Sequence, residues 1–159
     1  MKALYKRPSF EVKLLTIREV PTVLLDEPEK VAQYWNEEIT QSSWFTPERE
    51  MFVVVHMNTR RHTNGFELIS MGTLDATVCH ARDIFRKAIL ANDACIVLMH
   101  NHPSGDPTPS EADVRITRDL IRAGQALKID VMDHIIMGTQ PMHERGFTSL
   151  RESGYFAGY

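Results

Sequence analysis

The stretch Val97–Thr117, VLMHNHPSGDPTPSEADVRIT, decides how this chain is read. The short, almost wholly apolar run Ala94–Met99 has the composition of a strand covered on both faces. It ends directly in His100-Asn101-His102. In open α/β sheets, ligands gather beyond the carboxyl ends of strands, which is where this order puts two imidazoles. Side chains two apart on extended backbone point the same way, so His100 and His102 can converge on one ion. After the Pro- and Gly-containing loop Asn101–Pro109, a helix is predicted from Glu111 to Leu127. At 100° per residue, Thr117, Leu120, Gly124 and Leu127 fall within about 40° of Asp113, which therefore heads the stripe predicted to be buried. A buried carboxylate is costly unless something pairs with it, and a cation held by two imidazoles would do so. Ser110-x-x-Asp113 also has the form of a capping box, which would explain both residues without a metal. Two imidazoles and one carboxylate leave a tetrahedral ion one open position, the catalytic rather than the structural arrangement of zinc. Magnesium and calcium prefer all-oxygen shells.

Outward from this segment the pattern alternates between strand and helix. Met51–Asn58 and Phe66–Met71 read as paired strands across a turn containing Asn64-Gly65. Arg82–Ala91 reads as a helix burying Ile84, Phe85, Ala88 and Ile89, Asp130–Met137 as a strand, and Phe147–Leu150 as part of a short tail. Upstream, Phe10–Arg18 alternates like a half-buried strand, and Asp26-Glu27-Pro28 starts a helix whose stripe is Val31, Trp35 and Ile39, ending near Thr40. Gln41–Pro47 is the one plausible boundary, giving an N-terminal strand–helix extension over 1–47 and a main domain over 48–159. The expected fold class is α/β, a sandwich with a mixed sheet and helices on both faces.

A 159-residue chain with 43% hydrophobic residues can bury a core without disulfides, which excludes a disordered chain. No apolar run approaches the ~20 residues that span a bilayer, and the first residues lack the apolar segment of a secretory signal. The two cysteines, Cys79 and Cys95, have no Cys-x-x-Cys spacing and read as small buried apolar residues, so the expected address is cytoplasmic. With 18 Lys plus Arg against 21 Asp plus Glu, net −3, no long basic run favours nucleic acid as the partner. Nothing repeats at solenoid periods.

His134, in Asp133-His134-Ile135-Ile136, reads as a hydrogen-bonded core histidine or as a group behind the ligands. His56 and His80 read as structural, His62 and His143 as solvated. Arg115, Arg118 and Arg122 read as a solvated helix face. Contiguous His100-Asn101-His102 is not the HNH nuclease motif, whose residues are spread over a ββα fold. The His-x-Glu and Pro-Cys-x-x-Cys of a zinc deaminase and the Gly-x-Ser-x-Gly of a serine hydrolase are both missing.

His100-x-His102, seven residues, Ser110, two residues, Asp113 resembles the JAMM motif of the JAB/MPN metalloprotease superfamily. More narrowly, HNHPSGDPTPSEAD, ARDIFRKAI and DHIIMG look like the bacterial RadC family, over about Glu48 to Leu150. The resemblance implies a cytidine-deaminase-like α-β-α sandwich that binds one zinc ion through His100, His102 and Asp113. It further implies a catalytic glutamate on an early strand, for which Glu50, leading into MFVVVHM, is the best match and Glu48 and Glu67 are substitutes. Ser110 takes the place of the motif serine that helps to stabilise the oxyanion. The longer RadC proteins carry an N-terminal helical region with a helix-hairpin-helix-like segment, which has no counterpart in Met1–Pro47.

The leading expectation is therefore a zinc-dependent metallopeptidase or isopeptidase acting on a peptide or protein substrate. Two alternatives stay open: a DNA-associated RadC-like repair protein, and a non-catalytic JAB/MPN interaction module. The sequence names neither the substrate nor the oligomeric state.

Overall fold

The computed structural model describes residues 19–72, 79–139 and 143–159. Helix α1 (Pro28–Tyr34) runs on into a π-helical turn, Trp35–Ile39. It is followed by strands β1 (Met51–Met57) and β2 (Thr63–Met71), helix α2 (Ala81–Ala91), strand β3 (Cys95–Asn101), helix α3 (Glu111–Leu127) and strands β4 (Asp130–Met137) and β5 (Phe147–Ser149). The strands form one mixed sheet in the order β2-β1-β3-β4-β5, in which only β3 and β4 run parallel. The strand expected over Phe10–Arg18 lies outside the described residues. No helix among the described residues is long and apolar enough to cross a membrane.

Strand alternation divides the core in two. On one face Val31, Tyr34, Trp35 and Ile39 pack with Val53, Val55, Val97, Met99 and Ile135. On the other, Phe52, Val54, Ile96 and Leu98 meet Ile84, Phe85 and Ala88 of α2 and Ile116 and Leu120 of α3. The result is the expected α-β-α sandwich. β3 is buried along its whole length because both faces are covered.

Three local expectations change. The β1–β2 turn is Asn58–His62, where the Asn58 side-chain oxygen accepts from the backbone N–H of Arg60 (2.8 Å) and His62 (3.1 Å). Asn64 and Gly65 lie inside β2 instead. There the register shifts between His56 and Met57, and Gly65, at φ 112°, supplies the positive dihedral of the irregularity. Ile89 and Leu127, assigned to buried stripes, are exposed. Ile89 lies at the edge of its stripe, and Leu127 lies in the last turn of α3, beyond Leu120 and Gly124.

His56 is buried on β1, with Nδ1 2.8 Å from Asp93 Oδ2 and Nε2 3.4 Å from Glu67 Oε1. Burial pushes its pKa down, but the bonds to Asp93 and Glu67 outweigh this and raise it above the ordinary 6.5. A raised folded-state pKa contributes stability that is fully present below about 6.5 and is lost as pH rises through the folded value. His56→Gln should flatten the stability profile across that window, measured by denaturant melts from pH 6 upward.

Gly124 lies where α3 meets the chain turning back into β4. A Cβ there would sit 2.4 Å from the Ile129 backbone oxygen and 3.2 Å from the Phe85 ring. Gly124→Ala should therefore lower stability by about 1–3 kcal/mol, the range for overpacking a tight interior, read as a lower denaturant midpoint.

Candidate metal centre

The site is assembled where β3 ends. His100 shares the α2/α3 face with Leu98, and the Phe52 ring stacks against it at 6.1 Å between centroids. The next residue, Asn101, alternates to the other side, where its buried amide acts as a clamp. It accepts from Met51 N–H (2.9 Å) and donates to the carbonyls of Arg49 (3.0 Å) and Pro47 (3.4 Å). His102 follows, its backbone N–H donating to Met137 C=O at 2.9 Å so that the β3–β4 pairing holds the chain for one residue beyond β3.

The loop then folds back tightly over the end of β4. Thr139 N–H donates to Gly105 C=O at 2.8 Å, and a Cβ on Gly138 would lie 2.5 Å from that same oxygen. Ser110 is the N-cap of α3. Its Oγ accepts from Asp113 N–H (3.2 Å), while Asp113 Oδ2 accepts from Ser110 N–H (2.7 Å) and from the Ser110 hydroxyl (2.6 Å). The capping box expected from the sequence is present, and it coexists with the convergence of the histidines.

Three donor atoms meet in front of this cap. His100 Nε2 and His102 Nε2 are 3.0 Å apart, Asp113 Oδ1 is 3.3 Å from His100 Nε2, and Asp113 Oδ2 is 3.5 Å from His102 Nε2. With metal–ligand bonds of roughly 2.0–2.1 Å, the edge of a tetrahedron is about 3.3–3.4 Å. The two imidazole nitrogens and the nearer carboxylate oxygen of each pair are spaced close to such an edge, and one ligand atom from each residue lies within 4.8 Å of the others. The donors face inward for a chemical reason. His102 Nδ1 lies 2.7 Å from the Asp106 carbonyl, which can only accept, so Nδ1 carries the hydrogen and Nε2 presents its lone pair. His100 and Asp113 are almost wholly buried, and His102 is 17% exposed at its side chain. Among the described residues these three form the one group of His, Cys, Asp or Glu side chains able to hold a metal ion.

The carboxylate and the two imidazoles shift one another's protonation. Burial by itself would raise Asp113, but the bond from His102, the field of His100 and the Ser110 bonds together hold it well below the usual carboxylate range. His102 is raised, first by its bond to Asp113 and against partial burial. His100 is driven well below its ordinary value, first by burial and then by the neighbouring His134. An ionised carboxylate thus faces one imidazole kept neutral and a second that attracts a proton when no other cation is at hand.

Of the three candidate acids, Glu50 is the one whose charge reaches the ligands. It immediately precedes β1, is half-buried, and contributes to raising His102. The β1–β3 register pairs Phe52 with His100, so its continuation brings position 50 level with His102. The Glu50 backbone is held by Gly72 N–H, which donates to its carbonyl at 2.8 Å. Glu48 is exposed and bonded to the Thr46 hydroxyl. Glu67 pairs with Val54, two residues along β1 from Phe52, and its carboxylate lies 3.4 Å from His56 Nε2.

His134 is buried, with its Nε2 2.8 Å from His100 Nδ1 and its Nδ1 2.6 Å from the Thr117 hydroxyl; burial pulls its pKa down to about 4. His143 is half-buried rather than solvated, and His80 is exposed at the start of α2. Arg115, Arg118 and Arg122 are exposed, with Arg115 paired to Glu111 and Arg122 to Asp119. Two contributors escaped the sequence reading: Asn101, whose alternation to the opposite face was the available signal, and Thr117, one turn beyond Asp113 on the same stripe.

Ser110→Ala removes the cap and should cost about 1 kcal/mol of stability while leaving divalent-cation binding in place. Asp113→Asn retains an acceptor for the cap and should abolish that binding. Calorimetric titration beside denaturant melts separates the two roles.

The family model described as the RadC-like JAB domain matches residues 25–155. A "UPF0758 protein" of Desulfitobacterium hafniense is 37% identical over 155 residues, covering 96% of this chain and 64% of the relative. A protein of the same name from Desulforamulus reducens is 46% identical over 107 residues, covering 67% of this chain and 45% of the relative. Another, from Methanosarcina acetivorans, is 36% identical over 108 residues, 68% of this chain and 45% of the relative. The chain therefore spans less than two thirds of the length of these curated relatives.

Proposed function

Because the chain belongs to the RadC-like JAB domain family, we propose that it is a zinc-dependent amide hydrolase, a metallopeptidase or isopeptidase acting on a peptide or protein substrate. The observation that carries this reading is the convergence of His100, His102 and Asp113, with position 50 brought level with His102 by the β1–β3 register. A donor set of two nitrogens and one oxygen suits zinc better than magnesium or calcium, and three protein ligands leave a position for substrate.

Bound zinc would supply Lewis acidity, polarising a scissile carbonyl and making water nucleophilic near neutral pH. The remaining work falls to this chain's own side chains. Glu50 takes the proton from the attacking water and returns it to the departing amine, the task of a carboxylate held at the edge of a partly buried site. Ser110, exposed at the mouth of the cap, donates its hydroxyl hydrogen to Asp113 Oδ2, and supports the oxyanion by rotating that hydroxyl away from the carboxylate as negative charge develops on the substrate. Asn101 keeps the Glu50 segment against the histidines through its three backbone bonds. A DNA-associated role would draw on the α3 arginines, and two of those three are already paired with acids of their own helix, so the hydrolase reading is preferred.

The test is cleavage of peptide and isopeptide libraries by the zinc-reconstituted protein. Wild type should cleave a subset of them, and Glu50→Gln should lose roughly 10²–10⁴-fold in rate with its zinc content unchanged. No cleavage by wild type, or equal rates in both proteins, would contradict the mechanism.

A further inference from the structure

Behind the metal-facing atoms runs a chain of hydrogen bonds whose direction is fixed by its last member. Thr117 Oγ1 donates to the Asp113 carbonyl at 2.6 Å, and a carbonyl has no hydrogen to give. The one hydroxyl hydrogen of Thr117 is therefore used there. Its oxygen can only accept from His134 Nδ1, 2.6 Å away, so Nδ1 of His134 carries the hydrogen and Nε2 is bare. His134 Nε2 must then accept from His100 Nδ1, at 2.8 Å. His100 consequently holds its hydrogen on the side away from the site and turns the lone pair of Nε2 toward Asp113 and His102. All four residues are buried. The path also closes on itself, because Asp113 offers its carboxylate to the site and its carbonyl to the far end of the chain.

We infer that Thr117 and His134 are positioning residues for the metal centre: through a one-directional hydrogen-bond chain anchored on the Asp113 carbonyl, they fix His100 in the tautomer whose Nε2 can donate to a metal. Neither residue reaches the site itself. The inference rests on the metal reading given above. The physical expectation is general, since losing the group that holds a ligand histidine typically weakens metal binding 10–100-fold.

The test uses the full chain with Thr117→Val, which keeps the shape and removes the hydroxyl, Thr117→Ser, which restores it, and His134→Leu. Two readouts apply: ¹⁵N ring resonances of His100 in the metal-free protein, which report the nitrogen bearing the hydrogen, and zinc affinity by competition with a chromophoric chelator. Wild type and Thr117→Ser should show His100 with its hydrogen on Nδ1. Thr117→Val and His134→Leu should admit the other tautomer and bind zinc roughly 10–100-fold more weakly. An unchanged tautomer and affinity in a folded Thr117→Val or His134→Leu protein would overturn the inference. So would a loss in Thr117→Ser equal to that in Thr117→Val, which would make packing the cause. If one variant fails to fold, the other carries both readouts. Failure of wild type to take up zinc would remove the metal reading, while the His100 resonances would still decide whether Thr117 and His134 set its tautomer.

Discussion

Three electron-rich donors within 4.8 Å of one another, largely enclosed by a sheet and a helix, repel unless a positive charge lies among them. Much of the local structure holds these donors in place against that repulsion. The Phe52 ring stacks against His100, the Asp106 carbonyl turns His102, and the N-cap of α3 grips Asp113. A buried carboxylate and two imidazoles are costly to assemble without a counter-charge, so an arrangement kept this tight points to the cation that would relieve it.

The parallel β3–β4 pair makes the arrangement geometrically affordable. It places the end of β3, the loop that folds back over β4 and the start of α3 within one small volume, and contacts around Gly138 and Gly105 leave little freedom for that loop to drift. Asp113 serves two structural demands together. One oxygen accepts both Ser110 bonds, and the other lies toward His100, so a helix cap and a metal ligand are not competing explanations of the same residue. On the opposite face, Asn101 ties the segment before β1 to the histidine strand and so brings Glu50 near the ligands without itself facing them.

Much of this was legible in the sequence because it depends on short-range periodicity. Alternation at the end of β3 sets His100 and His102 on one side, helical phase sets Asp113 at the head of a buried stripe, and apolar runs mark β1, β3 and β4. What escaped depends on contacts distant in the chain or on competition between local signals. Asn64-Gly65 has turn chemistry, but the Asn58 side chain bonds two backbone N–H groups and takes the turn, leaving Gly65 for an irregularity within β2. Ile89 and Leu127 are apolar without being buried, because they lie at the margin or the end of their helices, where the partner surface stops. The clamp made by Asn101 and the link from Thr117 to His134 join segments as far as 54 residues apart, which no local pattern encodes.

The central claim is that His100, His102 and Asp113 form a metal centre, and elemental analysis of the untagged protein after zinc reconstitution tests it most directly. The account predicts about one zinc per chain, lost in a folded His102→Ala protein. A wild-type protein that retains no metal after reconstitution would contradict it, leaving Asp113 as a helix cap and the two histidines as buried polar groups.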